Sequence, residues 1–233
     1  MATVYDRTEM LLGKDAMGRI KMKKVIIFGI GGVGGFVAEA LARVGIGTIG
    51  IVDYDQVDVT NINRQIIALH STIGKHKTLI MKERIKDINP NIRVDDYAEK
   101  LTEVNLESFF PKKWDYIVDA IDDVPAKLLL IQEVSRRGIS IISSMGTGNH
   151  YDPGSFKIAD IKKTHTCPLA KRIRKETAKM DIKELKVLFS TEKPYREISP
   201  ETGNFSPASI AFAPATAGLM IAAEVVHDLI EQK

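Results

Sequence analysis

One stretch decides the fold: residues 25–55 read VIIFGIGGVGGFVAEALARVGIGTIGIVDYD. A continuous apolar run comes first, as expected for a parallel strand that is buried on both faces. A glycine-rich turn follows, then a helix rich in alanine and valine, then a second apolar strand that ends in acidic residues. This order of strand, turn, helix and strand is typical of a nucleotide-binding unit.

The glycine-rich turn predicts where the nucleotide sits. Its G-x-G-x-x-G spacing allows a tight turn and lets a phosphate approach the free N–H groups at the start of a helix. An acid at the end of the next strand is placed to bind ribose hydroxyls. The predicted nucleotide contacts in this unit are Gly29, Gly31, Gly32, Gly34, Asp53 and Asp55. The motif does not distinguish NAD from ATP, and the P-loop sequence G-x-x-x-x-G-K-[ST] is absent.

Outward from this unit, apolar strands and helical patterns keep alternating along the chain. The predicted helices span 6–20, 33–44, 74–90 and 124–137, and the predicted strands span 23–29, 48–55, 92–99, 114–122 and 138–146. This alternation predicts an α/β fold with a doubly wound, mostly parallel, Rossmann-like sheet. After about residue 146 the pattern changes to two strands around a basic helix and a final apolar helix. We therefore expect a core over 1–146 and a smaller appended C-terminal region over 147–233, packed as one unit with the core.

Cationic side chains beyond the second strand favour ATP over NAD. Splitting ATP between its α and β phosphates builds negative charge on the leaving pyrophosphate, which fixed cations stabilise. Arg64 and Lys77 suit that work, and Asn61 lies beside Arg64 just beyond the second strand; a solvated surface residue is the alternative for each cation taken alone. Asp122 is a candidate magnesium ligand, with phosphates supplying other ligands. A non-catalytic nucleotide-binding module also stays open.

The composition narrows the class of protein. The chain has 233 residues, of which 44% are hydrophobic and 27% charged, so it is an ordinary globular chain. Its one cysteine excludes an internal disulfide and a zinc site built on paired C-x-x-C motifs. No apolar run approaches the roughly 18 residues of a membrane span, and no secretory signal is visible. We expect a cytoplasmic protein without an integral membrane segment.

Four runs, GIGGVGG, VDYDQVDVTNINRQ, GKHK and DAIDD, together resemble the adenylating enzymes related to the ubiquitin-activating enzymes. The resemblance implies that Asp53 binds ribose and that Asp122 serves magnesium. The implied phosphate contacts are Asn61, Arg64 and Lys77. It also implies a homodimer in which Arg7 reaches into the ATP site of the neighbouring subunit, whereas Arg7 by itself looks like an ordinary surface residue.

The segment SSMGTGNHYDPGSFKIADIKKTHTCPLAKRIRKE, residues 143–176, resembles one branch of these enzymes, the tRNA threonylcarbamoyladenosine dehydratases. Members of this branch use ATP to cyclise the threonylcarbamoyl group on adenosine 37 of certain tRNAs, which implies a tRNA substrate. The alternative is an adenylyltransferase that activates the C-terminus of a sulfur-carrier or ubiquitin-like protein, with a sulfur-transfer protein as a possible partner. Enzymes for sulfur carriers usually contain zinc-binding C-x-x-C pairs, which this chain lacks.

The basic segment in this second half is consistent with an RNA substrate. A cationic helix is a reasonable surface for RNA phosphates, although a solvated amphipathic helix explains the charge equally well. The candidate tRNA contacts are Lys162, Lys163, Lys171, Arg172, Arg174 and Lys175.

Cys167 directly precedes a proline that suits the first turn of this helix. A thiol at a helix start beside basic residues is a candidate nucleophile. The alternative is an unreactive small residue in a loop, since the cyclisation needs no enzyme nucleophile.

Overall fold

The computed structural model describes residues 3–193 and 207–231. The strands are β1 Lys24–Phe28, β2 Thr48–Val52, β3 Arg93–Tyr97, β4 Tyr116–Asp119, β5 Ser140–Ser144, β6 Phe156–Asp160 and β7 Lys186–Ser190. The α-helices are α1 Asp6–Leu12, α2 Lys14–Ile20, α3 Gly34–Val44, α4 Lys77–Ile88, α5 Val124–Arg137, α6 Pro168–Lys179 and α7 Phe212–Glu231.

All seven strands form a single sheet in the order β3-β2-β1-β4-β5-β7-β6. Neighbouring strands are parallel except the edge strand β6, which runs antiparallel to β7. The strand order reverses between β1 and β4, and such a switch point leaves a crevice at the carboxyl ends of the strands. The predicted doubly wound α/β fold is confirmed.

Both faces of the sheet are covered, which explains the continuous apolar runs of β1 and β2. On one face, α3 and α7 pack over residues such as Ile27 and Ile51. On the other face, α5 and the aromatic side chains of Phe109 and Trp114 pack over Ile26. The central strands are therefore rigid supports for the loops that leave their carboxyl ends.

Two features differ from the sequence prediction or add to it. The helix expected over 6–20 is broken into α1 and α2 at Gly13, whose φ of +83° ends the first helix. The sheet continues past residue 146, because β7 pairs directly with β5. The appended region thus shares the hydrogen bonds of the core sheet, while the boundary at 146 itself stays a prediction.

Helix α7 is the one helix in the described part of the chain that is long and apolar enough to cross a membrane by length and composition. Half of its most apolar 18-residue stretch is buried inside the structure. Its Gly218 approaches α3 so closely that an added Cβ would lie 2.5 Å from the Val33 carbonyl oxygen. Packing against α3 accounts for the apolar composition of α7, so the helix is weak evidence for a membrane span.

Candidate active site

A cavity of about 500 Å³ opens at the carboxyl ends of the strands, at the switch point. Loops after β1, β2, β3, β4 and β5 contribute to its walls, together with the start of α4. The predicted site residues that line it are Gly29, Gly31, Gly32, Asp53, Asp55, Asn61, Arg64, Lys77 and Asp122. The fold thus brings together residues that are far apart in the sequence.

The glycine turn after β1 is tightly packed at two of its positions. Gly29 has a φ of +89°, and an added Cβ would lie 2.6 Å from the Ala120 carbonyl oxygen. An added Cβ on Gly34 would lie 1.8 Å from the Gly29 carbonyl oxygen. Gly34 was predicted as a nucleotide contact, but it lies behind the turn and supports it, whereas Gly31 opens on the cavity.

Asp53 joins the ends of β1 and β2. The side chain is only 8% exposed, and its two oxygens accept hydrogen bonds from the N–H groups of Ile30 at 2.7 Å and Asp55 at 2.8 Å. Burial raises the pKa of the Asp53 carboxyl, against the opposing effect of Lys77 and the two hydrogen bonds. The carboxylate is held rigidly and keeps lone pairs for a ribose hydroxyl.

Lys77 is the first residue of α4, and its side chain is held inside the cavity wall. The residue is 5% exposed, and its ammonium lies 2.7 Å from the Asp55 carboxylate. The Lys77 N–H also donates to the Asp55 carbonyl at 3.0 Å. One carboxylate fixes the ammonium, which has three donors in all, so further donors remain for a phosphate oxygen.

The turn between β2 and α4 supplies a second set of polar groups. The Arg64 guanidinium donates to the Thr60 carbonyl and to the Asn63 side chain, both at 2.8 Å. Gln65 is 7% exposed, lines the cavity, and its Oε1 has no hydrogen-bond partner. A buried amide oxygen without a partner is costly, so the position is suited to a ligand. Gln65 was not predicted as a site residue, although it is the last residue of the run VDYDQVDVTNINRQ.

An apolar wall faces these polar groups and was also missed from the sequence. Phe28, Val52, Leu101 and Ala126 are buried and line the cavity. They come from three different strands or the loops that follow them and from the start of α5. An apolar wall beside polar groups that suit ribose and phosphate is suited to a purine base.

Acidic groups converge on the rim of the cavity. The pKa of the Tyr54 hydroxyl is raised mainly by the charge of Asp55, then by burial and by Asp122 and Asp53. Among residues 3–193 and 207–231, no group of three or more His, Cys, Asp or Glu side chains is arranged to hold a metal ion. A divalent cation would therefore take few of its ligands from the protein; the exposed carboxylate of Asp122 is one candidate, and ligand phosphates would supply others.

The ThiF family model matches residues 5–233 of the chain. The chain belongs to the ThiF family. It is 44% identical to the tRNA threonylcarbamoyladenosine dehydratase of Bacillus subtilis over 97% of this chain and 94% of the relative. The structure matches the tRNA N6-threonylcarbamoyladenosine dehydratase of Escherichia coli in complex with ATP with a TM-score of 0.88, at 33% identity over 97% of this chain and 93% of that one. The complex of the E. coli enzyme with AMP matches with a TM-score of 0.89, at 31% identity over 99% and 98% of the two chains.

Besides Gly34 and the candidate tRNA contacts, two more predicted residues of this ThiF-family chain lie outside the cavity, Arg7 and Cys167. Arg7 is exposed on α1 and does not line the cavity of its own chain. Cys167 is 4% exposed at the start of α6, and its sulfur would lie 3.8 Å from a Cβ added to Gly146. Since Gly146 is part of the cavity wall, the thiol lies directly behind that wall.

The basic residues around α6 divide into two groups. Lys163, Lys171, Arg172 and Lys175 are exposed. Arg174 was predicted to contact tRNA, but it donates to the Thr164 carbonyl at 2.8 Å and to the Thr164 hydroxyl at 2.6 Å, and so it holds the loop before α6. The Lys162 ammonium is exposed but bonded to the Lys183 carbonyl. Leu169 of the same helix lines the cavity, so the exposed cations begin near its mouth.

Proposed function

We propose that this chain catalyses the ATP-dependent cyclisation of threonylcarbamoyladenosine at position 37 of tRNA, with loss of water, through an acyl adenylate. The observation that carries the proposal is the cavity, whose walls bring together a glycine turn, the buried acid Asp53 and two cations, the buried Lys77 and the partly exposed Arg64. Support also comes from the match over nearly the whole chain to a relative named as this dehydratase.

In the first step, a carboxylate oxygen of the threonyl group attacks the α-phosphorus of ATP and pyrophosphate leaves. Lys77 and Arg64 stabilise the negative charge that grows on the departing pyrophosphate. Asp53 and the glycine turn hold the ribose and phosphates in place. A magnesium ion bound by Asp122 and the phosphates would neutralise further charge.

In the second step, a nitrogen of the same carbamoyl group closes on the activated carbonyl and expels AMP, which carries away the carboxylate oxygen. The nitrogen loses its proton, so the nucleotide loses one water overall. The ring closure is intramolecular, and holding the chain in a reactive geometry supplies much of its rate. The reaction forms AMP and pyrophosphate, as in the ligase class, and requires no enzyme nucleophile, only exclusion of water from the adenylate.

The direct test is mass spectrometry of nucleosides from tRNA that carries threonylcarbamoyladenosine, after incubation with the purified protein, ATP and magnesium. We expect a product that has lost one water, together with one AMP and one pyrophosphate per turnover. Omitting ATP, or replacing it with NAD, is the control. Unchanged tRNA, with pyrophosphate exchange only in the presence of a sulfur-carrier protein, would favour the alternative adenylyltransferase.

The proposal includes a homodimer in which Arg7 completes the ATP site of the partner subunit. The position of Arg7, exposed on α1 and outside the cavity of its own chain, supports a role across subunits. Mixing Arg7→Ala chains with Asp122→Ala chains tests it, because each mixed dimer regains one intact site. No recovery after proven subunit exchange would contradict the arrangement.

We place the tRNA on the exposed cations around α6, beside the cavity mouth, in a cytoplasmic enzyme. Reversing the charge of Lys171 and Arg172 together should weaken tRNA binding and reduce its salt dependence while leaving ATP binding unchanged. Unchanged tRNA affinity in that variant would move the RNA surface elsewhere.

A further inference from the structure

A lysine with no exposed surface lies immediately behind the cavity. Lys127, on the first turn of α5, is 0% exposed. Its ammonium donates to the Asp119 carboxylate at 2.7 Å, to the Ser144 carbonyl at 3.0 Å and to the Ser143 hydroxyl at 3.3 Å. These contacts use all three N–H donors of the ammonium.

Asp119 is equally buried and connects two neighbouring strands. It is the last residue of β4 and pairs in register with Ser143 of β5. One carboxylate oxygen accepts from the Ser143 hydroxyl at 2.5 Å and from Lys127, while the other accepts from the Ile121 N–H at 3.1 Å. The side chains of Lys127, Asp119 and Ser143 form a closed network, which we call the buried triad.

The buried triad ends where two walls of the cavity begin. The chain leaves β4 through residues 120–123, which line the cavity and include the candidate magnesium ligand Asp122. The chain leaves β5 through residues 144–148, which also line it. Lys127 binds the first of these loops through Asp119 and the second through the Ser144 carbonyl.

A charged network at this place is not explained by stability alone. Desolvation of a buried ion pair offsets most of its attraction, and apolar side chains of similar volume are often as stable or more stable. Lys127 cannot touch the substrate either, because no part of it reaches the cavity surface.

We propose that Lys127 is a positioning residue for adenylate formation: through the buried triad it fixes Asp122 and the 144–148 loop relative to each other. The inference rests on the proposed function. It predicts an effect on kcat and on the magnesium requirement rather than on the KM for ATP. The groups that grip ribose and phosphate, Asp53 and Lys77, are held by bonds that do not involve the triad.

The main test is the triple variant Asp119→Leu/Lys127→Met/Ser143→Ala, which removes both charges and the hydroxyl together and leaves no buried charge unpaired. We expect a folded protein with a kcat at least about tenfold lower, a KM for ATP within about threefold, and a several-fold higher magnesium concentration at half-saturation. Lys186→Met is the matched control, since it breaks an ion network at the amino ends of the strands, whereas the cavity lies at their carboxyl ends. Its kcat and magnesium requirement should not change.

A folded triple variant with a kcat within about twofold of the wild type and an unchanged magnesium requirement would overturn the inference. Should the triple variant fail to fold, the single variant Ser143→Ala is tested instead. Its control is Thr177→Val, which also removes one buried hydroxyl but lies on α6, away from the cavity. An equal kcat in these two variants at equal stability would also overturn it.

Absence of turnover in the wild type is a failure of the proposed function and is seen before any variant is made. The inference is then judged by calorimetric titration with ATP at several magnesium concentrations. Loss of the magnesium dependence in the triple variant, but not in Lys186→Met, supports the positioning role. The same dependence in both variants rejects it.

Discussion

The strands of the sheet have a cavity and a network of charged groups at both of their ends. We call the side where the strands end the carboxyl edge and the side where they begin the amino edge. At the amino edge, a cavity of about 490 Å³ is lined by Tyr116, Lys186 and Asp228 among others. There the Lys186 ammonium binds the Asp228 and Glu224 carboxylates at 2.7 and 2.6 Å, and the Tyr116 hydroxyl donates to Asp228 at 2.6 Å. These groups satisfy one another and fasten α7 to β4 and β7.

At the carboxyl edge, some polar groups keep hydrogen-bonding capacity that no protein group uses. Gln65 Oε1 has no partner there, and the Lys77 ammonium is bonded to a single carboxylate, that of Asp55. The glycine turn also removes side chains from the approach to α3. The two cavities are similar in volume but differ in their polar groups. Unpaired hydrogen-bonding groups favour a ligand site at the carboxyl edge, whereas the paired groups at the amino edge favour a structural role.

The largest expected effect is that of Lys77→Ala at the carboxyl edge. Removing this cation should reduce tRNA-dependent ATP–pyrophosphate exchange roughly a hundredfold, about 3 kcal/mol of transition-state stabilisation. Lys82→Ala is the matched control, because Lys82 is on the same helix but its ion pair with Asp96 is partly exposed. Equal losses in the two variants would mean that Lys77 acts on the helix and not on phosphate.

Asp53→Asn should have the next largest effect: ATP binding should weaken, whereas stability relative to the wild type should increase with pH. Loss of the ribose acceptor should weaken ATP binding about tenfold, or about 1.4 kcal/mol, by calorimetry. Burial raises the pKa of Asp53, so its contribution to stability is fully present below the unfolded pKa of about 3.9 and is lost as pH rises through the folded value. The free energy of unfolding of Asp53→Asn, relative to wild type, should therefore increase from pH 3 to pH 7.

Asp58→Asn is the control for that pH dependence. Hydrogen bonds from Thr60 lower the pKa of Asp58, so its contribution is present above the unfolded pKa and is lost as pH falls. The relative stability of Asp58→Asn should thus decrease over the same interval. A parallel trend in the two variants would contradict the assignment of Asp53 as a desolvated carboxylate.

Lys186→Met at the amino edge should reduce stability and leave catalysis unchanged. Partial exposure screens its ion pairs, so we expect a loss of about 1 kcal/mol in denaturant unfolding at neutral pH. Burial alone would lower the pKa of Lys186, but Asp228 and Glu224 outweigh it and the pKa is raised. This contribution should persist below the unfolded pKa of about 10.4 and disappear at more alkaline pH. A change in kcat would mean that the amino edge communicates with the active site.

The sequence predicted those parts of the carboxyl edge that local patterns encode. Asp53 and Asp122 lie near the carboxyl ends of the predicted strands 48–55 and 114–122, and parallel strands bring such ends together. Lys77 lies in the predicted helix 74–90, and the structure brings the start of that helix to the same cavity. The break between α1 and α2 was missed because it depends on the conformation of one residue, Gly13. The spacing of apolar residues predicts that a segment is helical, but it does not predict that one residue inside the segment will adopt a conformation that breaks the helix.

Residues whose roles depend on tertiary burial were not predictable in the same way. Lys127 stands in an ordinary amphipathic helix pattern, and only the packing of α5 against β4 and β5 buries its charge. Gln65 becomes informative only when its amide oxygen is seen to be buried without a partner. Conversely, Arg174 counts as a surface cation in the sequence, but Thr164 engages it in the structure.

Cys167→Ala should have the smallest effect, although the thiol lies directly behind the wall of the active cavity. Its side chain packs among Met145, Ala170 and Ile173, so removing the sulfur should reduce stability by about 1 kcal/mol at most and keep the rate of cyclisation within about threefold. The reason is chemical: in the proposed mechanism, the carbamoyl nitrogen closes on the adenylate without help from an enzyme nucleophile. Single-turnover cyclisation and pyrophosphate exchange, measured on the same variant, separate the two steps. If exchange survives in Cys167→Ala while cyclisation is abolished, the acyl group must pass through the thiol, and the carboxyl edge would contain a covalent acceptor reached by opening the wall at Gly146.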